Sequence, residues 1–266
     1  MFDNYQVIDL TLTLDEQLPC SWPGHMPFQR KTWNWYVQSE TAEGEERSNR
    51  MGPYYTEWLL ADEHAGTHFD APSHFIPQPE SGIPGAAPAG AITGEKVELR
   101  KLMGKAVVID LTELCGQGRN GESPYILPGH LQAWESKHGA IAKNDIVLLH
   151  TGWDRYYAAG EPGNNYAYNA LVAKVGPGWP APDVQAMEYL FEKGVRCVGT
   201  DGASMGSTHN GAPVHVFGLA REMVYVESLT NLGQLPPRGS YFIFLPLKVN
   251  GSSGCPGRAV ALIPPA

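Results

Sequence analysis

The stretch from Glu63 to Phe75, EHAGTHFDAPSHF, places His64, His68, Asp70 and His74 within eleven residues of a chain that has nine histidines in all. His64 and His68 are four apart, a spacing that on a helix puts both rings on one face, but Gly66 and Pro72 argue against a helix here. A loop entering extended chain serves instead. Side chains alternate along a strand, so His68 and Asp70 face the same side. Together His64, His68 and Asp70 offer two neutral imidazoles and a hard carboxylate, a donor set that suits Zn²⁺ or Mn²⁺.

The full pattern, H-x-G-T-H-x-D-x-P-x-H, resembles the signature of the metal-dependent cyclase-like hydrolases, which include bacterial kynurenine formamidase and isatin hydrolase. The likeness extends over nearly the whole chain, through VIDLT and PCSWPG near the start, DIVLLHTGW, EYLFEKGVRCVGTDGAS and HVFGLAREMVYVESLTNL. It implies a single α/β domain over residues 1–266, a mixed β-sheet core with flanking helices of the swivelling β/β/α type. It also implies metal-dependent hydrolysis of the C–N bond of a small amide, either an aryl formamide such as N-formylkynurenine or a cyclic amide such as isatin. A cyclase, dehydratase or lactone hydrolase is the other enzymatic reading. A non-catalytic metal- or ligand-binding module is the third.

The resemblance assigns roles residue by residue. His215 and Glu227, twelve apart, match a histidine and a glutamate that complete the ligand set in the formamidase branch. His64, His68 and Asp70 would then hold one ion, with Asp70 and Glu227 bridging to a second that His215 completes. Isatin hydrolase lacks that glutamate and uses one manganese, so Glu227 points to a site for two ions, Zn²⁺ first and Mn²⁺ as the alternative. His74 matches a histidine that carries a proton and is not a ligand. A metal lowers the pKa of bound water toward ~7, and a positioned imidazole can protonate the departing nitrogen. A structural metal site closes its shell and has no use for such an imidazole. Trp22 matches a tryptophan that contacts substrate, and His25, three residues on, is placed to hydrogen-bond it.

Short β-branched runs must form the frame that positions these groups: YQVIDLT, KAVVIDLT at 105–112, DIVLLHTGW at 145–153, VRCVGTD at 195–201, YFIFLPLKV at 241–249 and AVALIP. Helices are expected at PGHLQAWESKHG and at PAPDVQAMEYLFEKG, where Asp183 caps, Met187, Leu190 and Phe191 form a stripe, and Gly194 stops the helix. Strands alternating with helices give a mixed α/β architecture. Residues 77–94 and 158–182 are too rich in Pro and Gly for regular structure, and NGS at 250–252 reads as a turn between strands. The aromatics in TWNWYV and YYTEWLL point to a flat apolar pocket.

The remaining polar residues are assigned quieter roles. His130 and His138 fall on a helix and should be solvated, His150 in a strand should be a hydrogen-bonded core residue, and His209 belongs to a polar loop. GTDGASMG lacks the glycine pattern and lysine of a phosphate loop, so Asp201 and Ser204 are expected to orient the metal ligands.

Composition bounds the partners. Hydrophobic residues make up 42% and charged residues 18%, enough apolar material for a folded core, and the net charge of -9 argues against a nucleic-acid partner. The four cysteines are far apart, without a CxxC pair, and read as reduced thiols. No basic leader or long apolar run is present, so a cytoplasmic protein without membrane attachment is expected. The apolar segment LPCSWPGHMPFQRKTWNW suggests a homodimer or larger homo-oligomer, with Trp22 near the partner's site, acting on a small-molecule substrate.

Overall fold

A computed structural model describes residues 4–265, so residues 1–3 and 266 of the expected domain lie outside the described residues. Strand β1 (Gln6–Asp9) is followed by an excursion carrying β2 (Gln29–Asn34), β3 (Ser39–Glu40), β4 (Glu46–Arg47) and β5 (Thr56–Leu60). Then come β6 (His68–Asp70), β7 (Met103–Asp110), β8 (Tyr125–Ile126), helix α1 (Pro128–His138), β9 (Ile146–His150) and β10 (Ala181–Pro182). Helix α2 (Val184–Glu192), β11 (Cys197–Thr200), α3 (Ala212–Leu219), β12 (Val224–Glu227), β13 (Arg238–Pro246) and β14 (Gly254–Ile263) follow.

Strands β7, β9, β11 and β12 are parallel neighbours. Parallel strands need long crossovers, and α1, α2 and α3 each lie in one of them. Alternation along these strands sorts two cores. Val107, Ile109, Val147, Leu149 and Val198 pack against Leu131, Trp134, Met187, Leu190 and Val214 of the helices. The intervening Ala106, Val108, Ile146, Leu148 and Cys197 pack on the other side with Phe69, Phe242 and Phe244. Burial on both faces is why these strands read as unbroken apolar runs.

The antiparallel strands close the sheet. β13 pairs with β7 and β14, and β6 pairs with both β12 and β14. The eight-stranded sheet therefore wraps into a barrel, with β1 added along β14. The fold is a single α/β domain of the expected class, and closure through the three-residue β6 is its main departure from a plain mixed sheet.

Helix α2 follows its sequence signals: the Asp183 carboxylate accepts the Ala186 N–H at 2.7 Å, a cap worth about 1 kcal/mol. Gly194, with φ of 84°, supplies the left-handed exit. The two Pro/Gly-rich stretches are less irregular than expected. They hold short 3₁₀ turns at Pro79–Ser81, Pro88–Ala91 and Glu161–Asn165, and a π turn at Asn169–Ala173. Proline lacks the N–H that the first residue of a turn leaves unpaired, so here it starts turns instead of preventing them. All four cysteines are free, and among the described residues no helix is long and apolar enough to cross a membrane.

The aromatic segments before the histidine cluster are also relocated. Among the described residues β2 pairs only with β5, and β3 with β4, in an arm outside the barrel. Trp33, Tyr36, Tyr54, Tyr55 and Trp58 are exposed on this arm, and none of them lines the cavity beside the histidine cluster. Two strands paired to each other have no second layer to cover their faces.

Candidate active site

Within the seam between β6 and β12, His68 is in register with Glu227 and Asp70 with Tyr225. Phe69 and Val226 point into the barrel core, so alternation directs His68, Asp70 and Glu227 to the opposite, helix-covered face. Helix α3 adds His215 from above. Its docking is fixed by the Tyr225 hydroxyl, which donates to Val214 O at 2.9 Å, and by Gly218, where any side chain would collide with that hydroxyl.

The four groups converge. His68 Nε2 lies 3.6 Å from Asp70 Oδ1 and 3.5 Å from Glu227 Oε2. His215 Nε2 lies 3.6 Å from Asp70 Oδ2 and 3.2 Å from Glu227 Oε1, and His64 Nδ1 is 2.9 Å from Asp70 Oδ1. Both Nε2 atoms are presented inward because each Nδ1–H donates to a backbone carbonyl, His68 to Gly66 O at 2.8 Å and His215 to Gly211 O at 2.9 Å. Gly66 makes this turn with φ of 58°, against Leu14, where a Cβ would have no room.

Burial opposes every charge here, yet proximity outweighs it. Burial pushes Glu227 up, but hydrogen bonds from His215 and His68 hold it well below the usual carboxylate range. Burial and Glu227 push Asp70 up, but His74 and His64 bring it below its ordinary value. His68, which burial would lower, is raised to about 9 by Glu227 and Asp70, and His215 is raised for the same reasons. His74 behaves oppositely: burial dominates and lowers it to about 4.

This donor set fits a divalent cation. Asp70 Oδ2 is buried with no hydrogen-bond partner, although it faces His215 Nε2, and buried carboxylate oxygens rarely stay unpaired without a reason. Two groupings of donor atoms lie within 4.8 Å of one another: His64, Asp70 and His74, and His68, Asp70 and Glu227. Asp70 is common to both. His64 Nδ1 and His68 Nε2 both approach Asp70 Oδ1, their rings 5.0 Å apart between centroids, and His74 lies within ligand reach, stacked on His64 at 3.9 Å.

A cavity of about 320 Å³ opens beside these groups, within the range of small-ligand sites. Trp22, Phe75 and Leu171 give it apolar walls, and Ser204, Ser207 and Thr208 a polar one. Trp22 rests on buried Trp179 with centroids 5.9 Å apart, and Phe75 stacks on His215 at 4.4 Å. His25 also lines the cavity, its Nδ1 3.3 Å from Asp62 Oδ2. A larger cavity of about 680 Å³ lies at the opposite ends of the parallel strands, beside Met103, Ile146 and Cys197, but no histidine lines it.

Ser204 acts as expected: its hydroxyl donates to Glu227 Oε1 at 3.3 Å, beside the Met205 N–H at 2.6 Å. Asp201 does not. Its carboxylate accepts the N–H groups of Thr151 and Gly152, at 2.9 and 2.7 Å, and holds the turn after β9 instead of a metal ligand. Burial raises its pKa to about 7. His150 is half-buried at a strand end, 3.8 Å from Asp110, so it is not the core residue expected. His138 and His209 are exposed, and His130 accepts the Leu127 N–H. Sequence reasoning overlooked Phe75, although it directly follows His74, and Leu171, which the π turn brings to the cavity.

Comparison with known proteins is consistent with this geometry. Residues 8–207 match the family model described as putative cyclase. Isatin hydrolase of Roseibium aggregatum is 34% identical, with 81% of this chain and 78% of that protein covered. Kynurenine formamidase of Salinibacter ruber is 28% identical, covering 90% of this chain and 89% of that protein. Isatin hydrolase A from Labrenzia aggregata, solved with benzyl benzoate bound, superposes with a TM-score of 0.78 at 26% identity, over 98% of this chain and 95% of that one.

Proposed function

The chain belongs to the cyclase family, and from that footing we propose that His64, His68, Asp70, His215 and Glu227 hold divalent cations that let His74 assist the hydrolysis of a small aromatic amide. It is a metal-dependent amide hydrolase. The observation that carries the site assignment is Asp70: one buried oxygen has no hydrogen-bond partner, and the carboxylate is common to both donor groupings. His64, His68 and Asp70 would hold one ion, and Asp70, Glu227 and His215 a second, zinc first and manganese as the alternative.

When bound, the cation supplies Lewis acidity toward the amide carbonyl and acidifies water. The chain's own groups do the rest. Trp22 and Phe75 offer apolar walls to the aromatic ring of the substrate, and His25 a polar group on the same cavity lining. His74, neutral at pH 7 because burial holds its pKa near 4, takes a proton from water and returns it to the nitrogen as the C–N bond breaks. Higher identity to the isatin hydrolase favours a cyclic amide, whereas Glu227 favours the formamide. The exposed aromatics of the arm support a second copy of the chain as its cover.

The test is a panel of isatin, N-formylkynurenine and simple lactams and lactones, each assayed with Zn²⁺ and Mn²⁺ separately. Turnover of isatin or N-formylkynurenine only after metal loading is the expected result. Turnover of lactones alone would replace the amide reading.

A further inference from the structure

The seam that closes the barrel also brings a serine to the two stacked histidines from far along the chain. Ser253 immediately precedes β14, and its carbonyl accepts the Ala71 N–H at 2.9 Å, continuing the β14–β6 pairing. Its hydroxyl lies 2.7 Å from Glu63 Oε1, 3.0 Å from His64 Nε2 and 3.5 Å from His74 Nδ1. Its backbone N–H donates to Glu63 Oε2 at 3.0 Å, so one carboxylate grips the residue at two points.

A hydroxyl has one hydrogen to give and two lone pairs to receive, while a carboxylate only accepts. The hydrogen therefore goes to Glu63, and both lone pairs are left for ring N–H groups. We infer that Glu63, by taking the Ser253 hydrogen, leaves the Ser253 oxygen to receive Nε2–H of His64 and Nδ1–H of His74, and that the two residues so set both tautomers. In metal-loaded protein His64 would then offer the lone pair of Nδ1 to the cation beside Asp70 Oδ1, 2.9 Å away, whereas without a cation that nitrogen donates its N–H to the carboxylate. His74 presents the lone pair of Nε2, the atom that must take a proton. Rotation is restricted as well: the rings stack at 3.9 Å, and Gly254 runs so close to His64 that a Cβ would sit 2.8 Å from its Cε1.

Glu63 and Ser253 do not line the cavity, so both are positioning residues. The inference rests on the reading of His74 as proton carrier, and the experiment separates the two. Zinc-loaded protein labelled with ¹⁵N-histidine is expected to show His74 protonated at Nδ1 and bare at Nε2. Ser253→Ala should mix that pattern and lower kcat at saturating zinc about 10- to 100-fold, the usual effect of losing such a partner, with KM unchanged; Ser253→Thr should restore both the pattern and kcat. Glu63→Gln is the independent variant. Its amide can donate to the hydroxyl, freeing the serine hydrogen to face a ring nitrogen, so His74 should change tautomer and kcat should fall. Wild-type protein with His74 protonated at Nε2, or Ser253→Ala with unchanged ring signals and kcat, overturns the inference. If wild-type protein cleaves none of the amides, the functional reading fails while the ring signals still decide the tautomer.

Discussion

Across the seam between β6 and β12, Glu227 stands in register with His68, their Oε2 and Nε2 atoms 3.5 Å apart. Two buried carboxylates, Asp70 and Glu227, thus share two buried imidazoles whose other nitrogens are tied to backbone carbonyls. Without a cation, protons on His68 and His215 balance the carboxylates. That is why both imidazoles are raised and Glu227 is lowered, against the effect of burial, while His74 and His64 bring Asp70 down. A divalent ion replaces those protons.

The first prediction is competition between metal and protons. Metal binding requires neutral imidazole, and His68 keeps its proton up to a pH of about 9 in the metal-free protein. Apparent metal affinity should therefore rise with pH up to that value, about tenfold per unit for each proton expelled. Stability of the metal-free protein runs the other way. A histidine raised from 6.5 to about 9 contributes its full stabilisation below pH 6.5 and loses it as pH rises through 9. Chelator competition and thermal melts across that window measure both, and a flat affinity profile would remove His68 from the ligand set.

Asp70→Ala should strip the protein of metal, because Asp70 is shared by both donor groupings. Its loss also removes the unpaired oxygen facing His215. Elemental analysis after dialysis reads the result directly. Full metal content in this variant would defeat the assignment.

Glu227→Gln separates one ion from two. The carboxylate reaches both His68 and His215, and Gln keeps the shape while losing the charge. Saturated wild-type protein should hold two ions per chain and the variant one. One ion in both would place this chain with mononuclear enzymes.

What could be read in advance depended on how far each contact reaches along the chain. His64, His68, Asp70 and His74 lie in one short segment, and alternation alone puts His68 beside Asp70. Glu227 and His215 required the seam and helix α3 to bring them in, and only their spacing of twelve positions hinted at the pair. Ser253 was illegible. It meets His74 across 179 residues, through a pairing with β6 that is three residues long and carries no strand pattern of its own. Asp201 misled for a different reason: a buried acid beside the site looks like a support for ligands, yet its hydrogen bonds go to the Thr151–Gly152 turn. The arm misled by composition, since tryptophans that face solvent on a two-stranded ribbon resemble a pocket wall when only their number is known.

Those same side chains carry a prediction about assembly. Trp58 and Leu59 are 41% and 64% exposed on β5, a poor arrangement for surfaces facing water. Sedimentation should find a dimer or larger assembly at micromolar concentration, and Trp58→Ser combined with Leu59→Ser should shift it toward monomer. Wild-type protein that sediments only as monomer would leave the arm unexplained and Trp22 as an ordinary contact of Trp179.

His74→Ala decides between the two places this histidine could occupy. Its ring lies within ligand reach of Asp70 and stacks on His64, yet burial lowers its pKa to about 4, so at neutral pH it is an uncharged acceptor in a cavity wall. If it moves the proton, the variant should keep its metal and its fold while kcat drops about 10²- to 10⁴-fold. Should it be a ligand instead, metal affinity falls and excess metal restores the rate. The pH profile adds a sign: a histidine lowered from 6.5 to about 4 works in its neutral form, so wild-type kcat should hold above pH 6.5 and fall only as pH drops toward 4. The stability it contributes is likewise present above 6.5 and lost through the same window, because the unfolded chain takes the proton first. A variant with normal metal content and a wild-type rate would leave neither role standing, and proton transfer would have to be assigned to water alone.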